Sequence, residues 1–75
     1  MNRTREEEMY AMGQKIRYLR RSKDYSQENL AEAMGVSSMT IYRIENGKAP
    51  IRMEYLIKLA EILDMTIEEI MTKEL

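Results

Sequence analysis

The chain has 75 residues, no cysteine and no histidine, and its 12 basic and 13 acidic side chains leave a formal net charge of −1. A chain of this length forms one domain, which buries only about 60% of the surface that its unfolded form exposes. Without cysteine or histidine, disulfides, most metal sites and nearly all nucleophile–base pairs of acyl-transfer enzymes are excluded. We therefore expect no enzyme, no metal, no cofactor and no small-molecule substrate.

Targeting signals are equally absent from the sequence. No apolar run approaches the roughly 20 residues of a membrane span, and the opening segment MNRTREEEMY is too polar for a signal peptide. We expect a cytoplasmic protein without membrane contact.

The first predicted helix begins after Thr4 and runs to about Lys23. Thr4 and Glu7 match the S/T-x-x-E capping box, and apolar residues recur behind them at spacings of three and four. We treat residues 1–13 as an N-terminal extension of this helix and residues 14–72 as the domain proper.

Two short amphipathic helices follow, hinged at Gly35. Ser26 is the expected N-cap of the first, and Ser37 caps the second, which runs to the stop signal Asn46-Gly47. Glycine at the hinge accepts a positive φ at low cost. Two short helices joined by a turn at a glycine are typical of a helix-turn-helix, although an ordinary αα-hairpin within a bundle would also show this pattern.

Two further helices complete the prediction, one over Met53–Leu63 and one opened by a capping box of Thr66 and Glu69. No segment alternates as a strand would, so the predicted fold class is all-α: a compact five-helix domain with a central helix-turn-helix. Of the eight methionines, the one at position 1 is the start residue, and most of the others are expected to fill the core. Met39 is the exception, because its helix already has an inward face.

Several segments occur in a specific order: IRYLR, SQENLA, MGVS, IYRIENGK followed by proline, LIKLAEIL and IEEI. Together they resemble the Cro/phage-repressor (Xre-type, lambda-repressor-like) helix-turn-helix family over residues 14–72. The resemblance implies a lambda-repressor-like fold and a sequence-specific transcriptional regulator, expected to be a repressor, that binds double-stranded DNA. Controller proteins of restriction systems have the same bare architecture.

In the third helix, Ile41 and Ile44 lie three residues apart and are predicted to face the core. The resemblance implies that the start of this helix enters the major groove. Arginine can bind O6 and N7 of guanine, whereas methionine can only contact a thymine methyl. Arg43 would also fit a surface ion pair, and Met39 a contact with another protein. The expected base contacts are Ser37, Ser38, Met39, Thr40 and Arg43.

Phosphate contacts are expected around the motif, with Gln27 implied by the resemblance. Residues 12–23 carry five basic and no acidic side chains, whereas residues 53–75 carry six acidic and two basic ones. This distribution predicts a basic face and an acidic back, despite the net charge. Each residue would also be unremarkable as a solvated side chain. The expected phosphate contacts are Gln27, Tyr42, Asn46, Lys48, Arg17 and Arg21.

The resemblance also implies a structural ion pair between Arg20 and Glu45, which would join the first helix to the third. A homodimer is expected as well, because one short helix contacts too few base pairs to select a site. Its expected interface is Ile67, Ile70, Met71 and Leu75, with the N-terminal extension as the alternative surface. A second function stays open, in which an antitoxin-like or adaptor protein binds mainly another protein.

Overall fold

The computed structural model describes residues 3–72, and this part of the chain forms five helices and no strand. The predicted all-α fold is confirmed. None of the helices combines the length and apolarity needed to cross a bilayer. The helices are α1 (Arg5–Ser22), α2 (Gln27–Met34), α3 (Ser38–Glu45), α4 (Met53–Leu63) and α5 (Ile67–Thr72).

Side-chain caps fix where the helices begin. Thr4 Oγ1 accepts a hydrogen bond from Glu7 N at 3.1 Å, while Glu7 Oε1 accepts one from Thr4 N at 2.7 Å. Ser26 and Ser37 cap α2 and α3 through the N–H groups three residues on, at 2.9 and 3.2 Å. Such caps satisfy N–H groups that have no partner within the helix. The caps predicted at these three positions are confirmed.

The turn between α2 and α3 depends on a left-handed residue. Gly35 has φ 73° and ends α2, as predicted. Its N–H donates to Glu32 O at 3.2 Å, and Val36 N donates to Ala31 O at 2.9 Å. These two hydrogen bonds form a common helix-ending motif, in which the residue after the glycine packs inward. Val36 indeed packs against the core, so α3 starts directly beside α2.

The core receives side chains from all five helices, and the helix-turn-helix lies against it. Leucine and isoleucine fill most of the space between the helices. Among the methionines of the described part of the chain, Met34 is buried, and Met12 and Met65 are half-buried and pack against the core. Met53 and Met71 are 62% and 51% exposed and line an open groove of about 1200 Å³ beside α1. The buried apolar residues are Ile16, Leu19, Leu30, Ala31, Met34, Ile41, Ile44, Leu56, Leu59, Ala60, Leu63 and Ile70.

Helix α1 touches the end of α3 with its backbone. A Cβ on Gly13 would overlap the carbonyl oxygen of Ile44 and lie 2.6 Å from that of Glu45. Residues 5–13, expected as an extension, are thus continuous with the rest of α1 and contact the helix-turn-helix. A second close approach lies one turn before Gly13 on α1, at Tyr10. Gly47, which follows α3 with φ 70°, lies against the backbone of Tyr10.

Candidate nucleic-acid interface

Helix α3 has two faces with different surroundings. Its inner face holds Ile41 and Ile44, which are buried as predicted. Its outer face carries Met39 and Tyr42, whose exposed fractions are 58% and 51%. Ser38, Met39 and Arg43, the main candidates for base contacts, all lie on this exposed outer face. The helix is therefore held from behind and presents a free row of side chains.

The two other base-contact candidates hold the start of α3. Ser37 Oγ accepts from Thr40 N at 3.2 Å, and the two hydroxyl oxygens lie 3.0 Å apart. Thr40 is half-buried. Both hydroxyl groups thus already have a hydrogen-bond partner at the N-terminus of the helix. They lie next to the outer face but serve its local structure.

Among the phosphate candidates too, some side chains are exposed and others form hydrogen bonds within the domain. Arg17 and Arg21 are exposed on α1, and Lys48 is exposed just after α3. The Asn46 amide donates to Tyr42 O at 2.8 Å and so holds the end of α3. Tyr42 is exposed on the outer face of α3, and Gln27 is half-buried in a cluster of hydrogen-bonded polar side chains.

The centre of this cluster is the expected ion pair, which the structure contains. Arg20 Nε lies 2.6 Å from Glu45 Oε2, and Arg20 Nη2 donates to Glu45 Oε1 at 3.1 Å. Glu45 is 1% exposed and Arg20 7%. The third guanidinium nitrogen, Nη1, donates to Tyr25 O at 2.7 Å. Two parallel bonds of this kind give an arginine–carboxylate pair both strength and a fixed geometry.

Two glutamines complete the cluster. Gln27 Nε2 donates to Glu45 Oε1 at 2.9 Å, and Gln14 Nε2 donates to the backbone oxygen of Glu45 at 3.0 Å. Within the described part of the chain, every buried side-chain nitrogen and oxygen has a hydrogen-bond partner. The sequence analysis missed both glutamine bonds and the close approach at Gly13. A glycine inside a helical pattern costs about 1 kcal/mol of helix stability, which was the one local signal at Gly13, whereas nothing local marks the two glutamines.

Comparison with known proteins agrees with this geometry. A family model described as helix-turn-helix matches residues 16–70. The chain belongs to the helix-turn-helix family. One relative, the HTH-type transcriptional regulator MJ0272 of Methanocaldococcus jannaschii, is 36% identical over 84% of this chain and 96% of its own length. Longer relatives match as well, and the chain spans 46% of one of them and 16% of another.

Solved structures share the arrangement of the helices. The restriction-modification controller protein C.AhdI of Aeromonas hydrophila matches with a TM-score of 0.80 and 31% identity, over 85% of this chain and 97% of its own. SinR of Bacillus subtilis, a regulator of biofilm formation crystallised with DNA, matches with a TM-score of 0.71 and 31% identity, over 80% and 97% of the two chains.

In this helix-turn-helix domain, the expected dimer residues do not share one surface. The expectation is wrong for Ile70, because this side chain is fully buried in the core of its own domain and cannot reach a second copy. Ile67 is half-buried beside α4. Met71 is exposed on the groove beside α1. Leu75 lies outside the described residues.

Proposed function

We propose that this protein is a sequence-specific regulator of transcription that binds double-stranded DNA as a homodimer and represses by occupying its operator. The observation that carries the proposal is the outer face of α3, which is exposed while its inner face is locked into the core. A helix held in this way fits the major groove and places three or four side chains against base edges. On this face Arg43 would bind guanine, and Met39 would contact a thymine methyl.

The position of the charges supports the proposal despite the net charge of −1. Exposed basic side chains lie on α1 and after α3, at Arg17, Arg21 and Lys48. In residues 53–75, by contrast, six acidic side chains outnumber two basic ones. Phosphate contacts supply much of the affinity of such proteins, and they need only a locally positive surface.

We expect binding to random-sequence duplex DNA to weaken steeply with salt, because each phosphate contact releases about 0.9 counterion. Lys48→Ala should reduce the slope of log K against log salt by about 1 per subunit and leave sequence preference unchanged.

Arg43→Ala should relax the preference for one base pair, at a cost of about 1–3 kcal/mol on the selected site. Titrations by fluorescence anisotropy over a salt series measure both effects.

Arg5→Ala is the charge-matched control, because Arg5 is exposed at the opposite end of α1 from Arg21. Its salt slope should equal that of the wild type. A wild-type protein that binds no duplex at low salt would contradict the proposed function.

The proposed homodimer uses the surface between α4 and α5. Ile57 is 47% exposed, and together with half-buried Met65 and Ile67 it lines a shallow depression there. These are apolar side chains of the kind that a two-fold interface would bury. Two copies would double the number of base pairs that one eight-residue helix can reach.

We expect Ile57→Glu to convert the dimer to a monomer without loss of the fold, since Ile57 contributes little to the core. Sedimentation equilibrium measures the mass, and circular dichroism checks the helix content. Met53→Glu places the same charge at an exposed apolar position of the same helix, on the groove beside α1. It should leave the dimer intact. Dissociation by Met53→Glu alone would move the interface to the α1 side, and a monomeric wild type at high micromolar concentration would rule out the dimer.

A second candidate function is an adaptor or antitoxin-like role, in which the protein binds mainly another protein. Met39 favours it, because this large apolar side chain is 58% exposed on the outer face of α3 and has no hydrogen bond to offer a base. Exposed methionines adapt readily to apolar partners. Failure to bind DNA at low salt, together with a stable complex that Met39→Glu abolishes, would support this function over the first.

A further inference from the structure

Gln27 and Glu45 lie on different helices of the motif and are joined by a hydrogen bond. Gln27 is the first residue of α2, and Glu45 is the last residue of α3. The bond runs from Gln27 Nε2 to Glu45 Oε1, over 2.9 Å. It therefore links the N-terminus of α2 to the C-terminus of the helix that carries the proposed base contacts.

We propose that Glu45 is a positioning residue for DNA binding. Its carboxylate holds the Gln27 amide so that the second Nε2 hydrogen is presented to a DNA phosphate at the start of α2. Glu45 itself, being buried, does not touch DNA. This inference rests on the proposed function, because it needs DNA as the ligand.

The chemistry of the two groups fixes the orientation of the amide. A carboxylate only accepts hydrogen bonds, whereas an amide has a donating NH₂ end and an accepting oxygen end. The NH₂ end of Gln27 must therefore face Glu45, and one of its two hydrogens is left over. A free glutamine side chain would sample many rotamers and both amide orientations, and binding would have to freeze one of them. The bond to Glu45 removes most of that freedom before DNA arrives.

Arg20 makes this arrangement compatible with a nearby phosphate. An unpaired carboxylate would repel the phosphate, but the two-bond contact with Arg20 leaves the cluster formally neutral. Arg20 also donates to Tyr25 O, which lies two residues before Gln27. The N–H of Asn29 donates to Ser26 Oγ. The N–H groups that precede it at the start of α2 belong to the first turn, where a helix provides no partner of its own. The Gln27 amide and these N–H groups provide donors for the same anion.

The sign of one substitution separates this role from a simple charge effect. If Glu45 only added a negative charge near DNA, Glu45→Gln would tighten binding, because it raises the net charge by one. A positioning role predicts the opposite, because an amide at position 45 no longer dictates which end of Gln27 faces it. The loss should appear only while Gln27 is present.

The test is a double-mutant cycle on a random-sequence duplex, which serves because phosphate contacts do not depend on sequence. Gln27→Met, which keeps the length of the side chain without its donor, should weaken binding roughly tenfold. Glu45→Gln also leaves the Arg20 guanidinium without its carboxylate, so each affinity is referred to the folded fraction measured by circular dichroism. On that basis Glu45→Gln should weaken binding in the wild-type background and should not weaken it in the Gln27→Met background. Equal effects in both backgrounds, or tighter binding in both, would overturn the positioning role.

Gln14→Met is the matched control. It removes a hydrogen bond of similar length, from the same type of side chain to the same residue, because Gln14 Nε2 donates to Glu45 O. It should lower stability about as much as Gln27→Met and leave DNA affinity unchanged. An equal loss of affinity in both variants would assign the effect to the fold and overturn the proposal.

One further test uses the wild-type protein and so does not depend on whether a variant folds. In NMR spectra of the free protein, one Gln27 side-chain amide proton should exchange slowly with solvent, and the other should shift when duplex is added. Exchange as fast as that of the exposed Asn29 amide would overturn the proposal. A wild type that binds no duplex at low salt overturns the proposed function and this inference together. A wild type that binds DNA without coupling between the two sites overturns this inference alone.

Discussion

Glu45→Ala is expected to lower the free energy of unfolding by about 3–5 kcal/mol, because it leaves the buried Arg20 guanidinium without its carboxylate. Gln27 would lose its acceptor at the same time. A domain of this length has a total stability of only roughly 4–11 kcal/mol. The variant should therefore melt many degrees below the wild type or fail to fold, as thermal denaturation followed by circular dichroism would show.

The control for this prediction removes both charges. Arg20→Met combined with Glu45→Leu leaves no stranded charge, and exchanges of this kind are often nearly neutral. The double variant should be more stable than Glu45→Ala, although Tyr25 O loses its donor. An unchanged melting temperature in Glu45→Ala would show that the pair contributes little to the fold.

Gly13→Ala is expected to destabilise the domain by about 3 kcal/mol, at the upper end of the usual cost of overpacking. Helix propensity alone predicts the opposite sign, because alanine in a helix is better than glycine by about 1 kcal/mol. The contact decides the outcome, since the new methyl group would meet the backbone oxygens of Ile44 and Glu45. Backbone atoms cannot rotate away as a side chain can, so α1 would have to move off α3.

Chemical denaturation with urea measures this loss, and Arg17→Ala on the same helix provides the comparison. Arg17 is exposed, so alanine there should change stability by less than about 0.5 kcal/mol. If Gly13→Ala proves more stable than the wild type, the close approach of α1 to α3 is not present in solution.

The five helices could be predicted because their signals are local. The caps at Thr4, Ser26 and Ser37 and the glycine at position 35 act over three or four residues, and apolar spacing within each helix shows which face turns inward. The inner face of α3 followed from the spacing of Ile41 and Ile44 in the same way. Short-range geometry was thus sufficient for the elements and for the outer face of the candidate site.

The contacts between helices could not be predicted from the residues, because periodicity shows which face is buried but not what lies opposite. Gln14 and Gln27 reach Glu45 across 31 and 18 residues of sequence. The Arg20–Glu45 pair was expected only because the chain resembles a known family. Periodicity also failed to place Ile70, because an apolar residue on a short terminal helix fits a core and a dimer interface equally well.

If the proposed function holds, the separation of α3 into a buried inner face and an exposed outer face makes the DNA specificity of this domain easy to change. Substitutions at Ser38, Met39 and Arg43 disturb no packing contact, so their cost in stability should be small. A library randomised at these positions should consist mostly of folded proteins. Under the proposed function, selection on such a library would retarget the protein to a different DNA site, whereas changes at Ile41 or Ile44 would remove the core contacts that hold α3 in place.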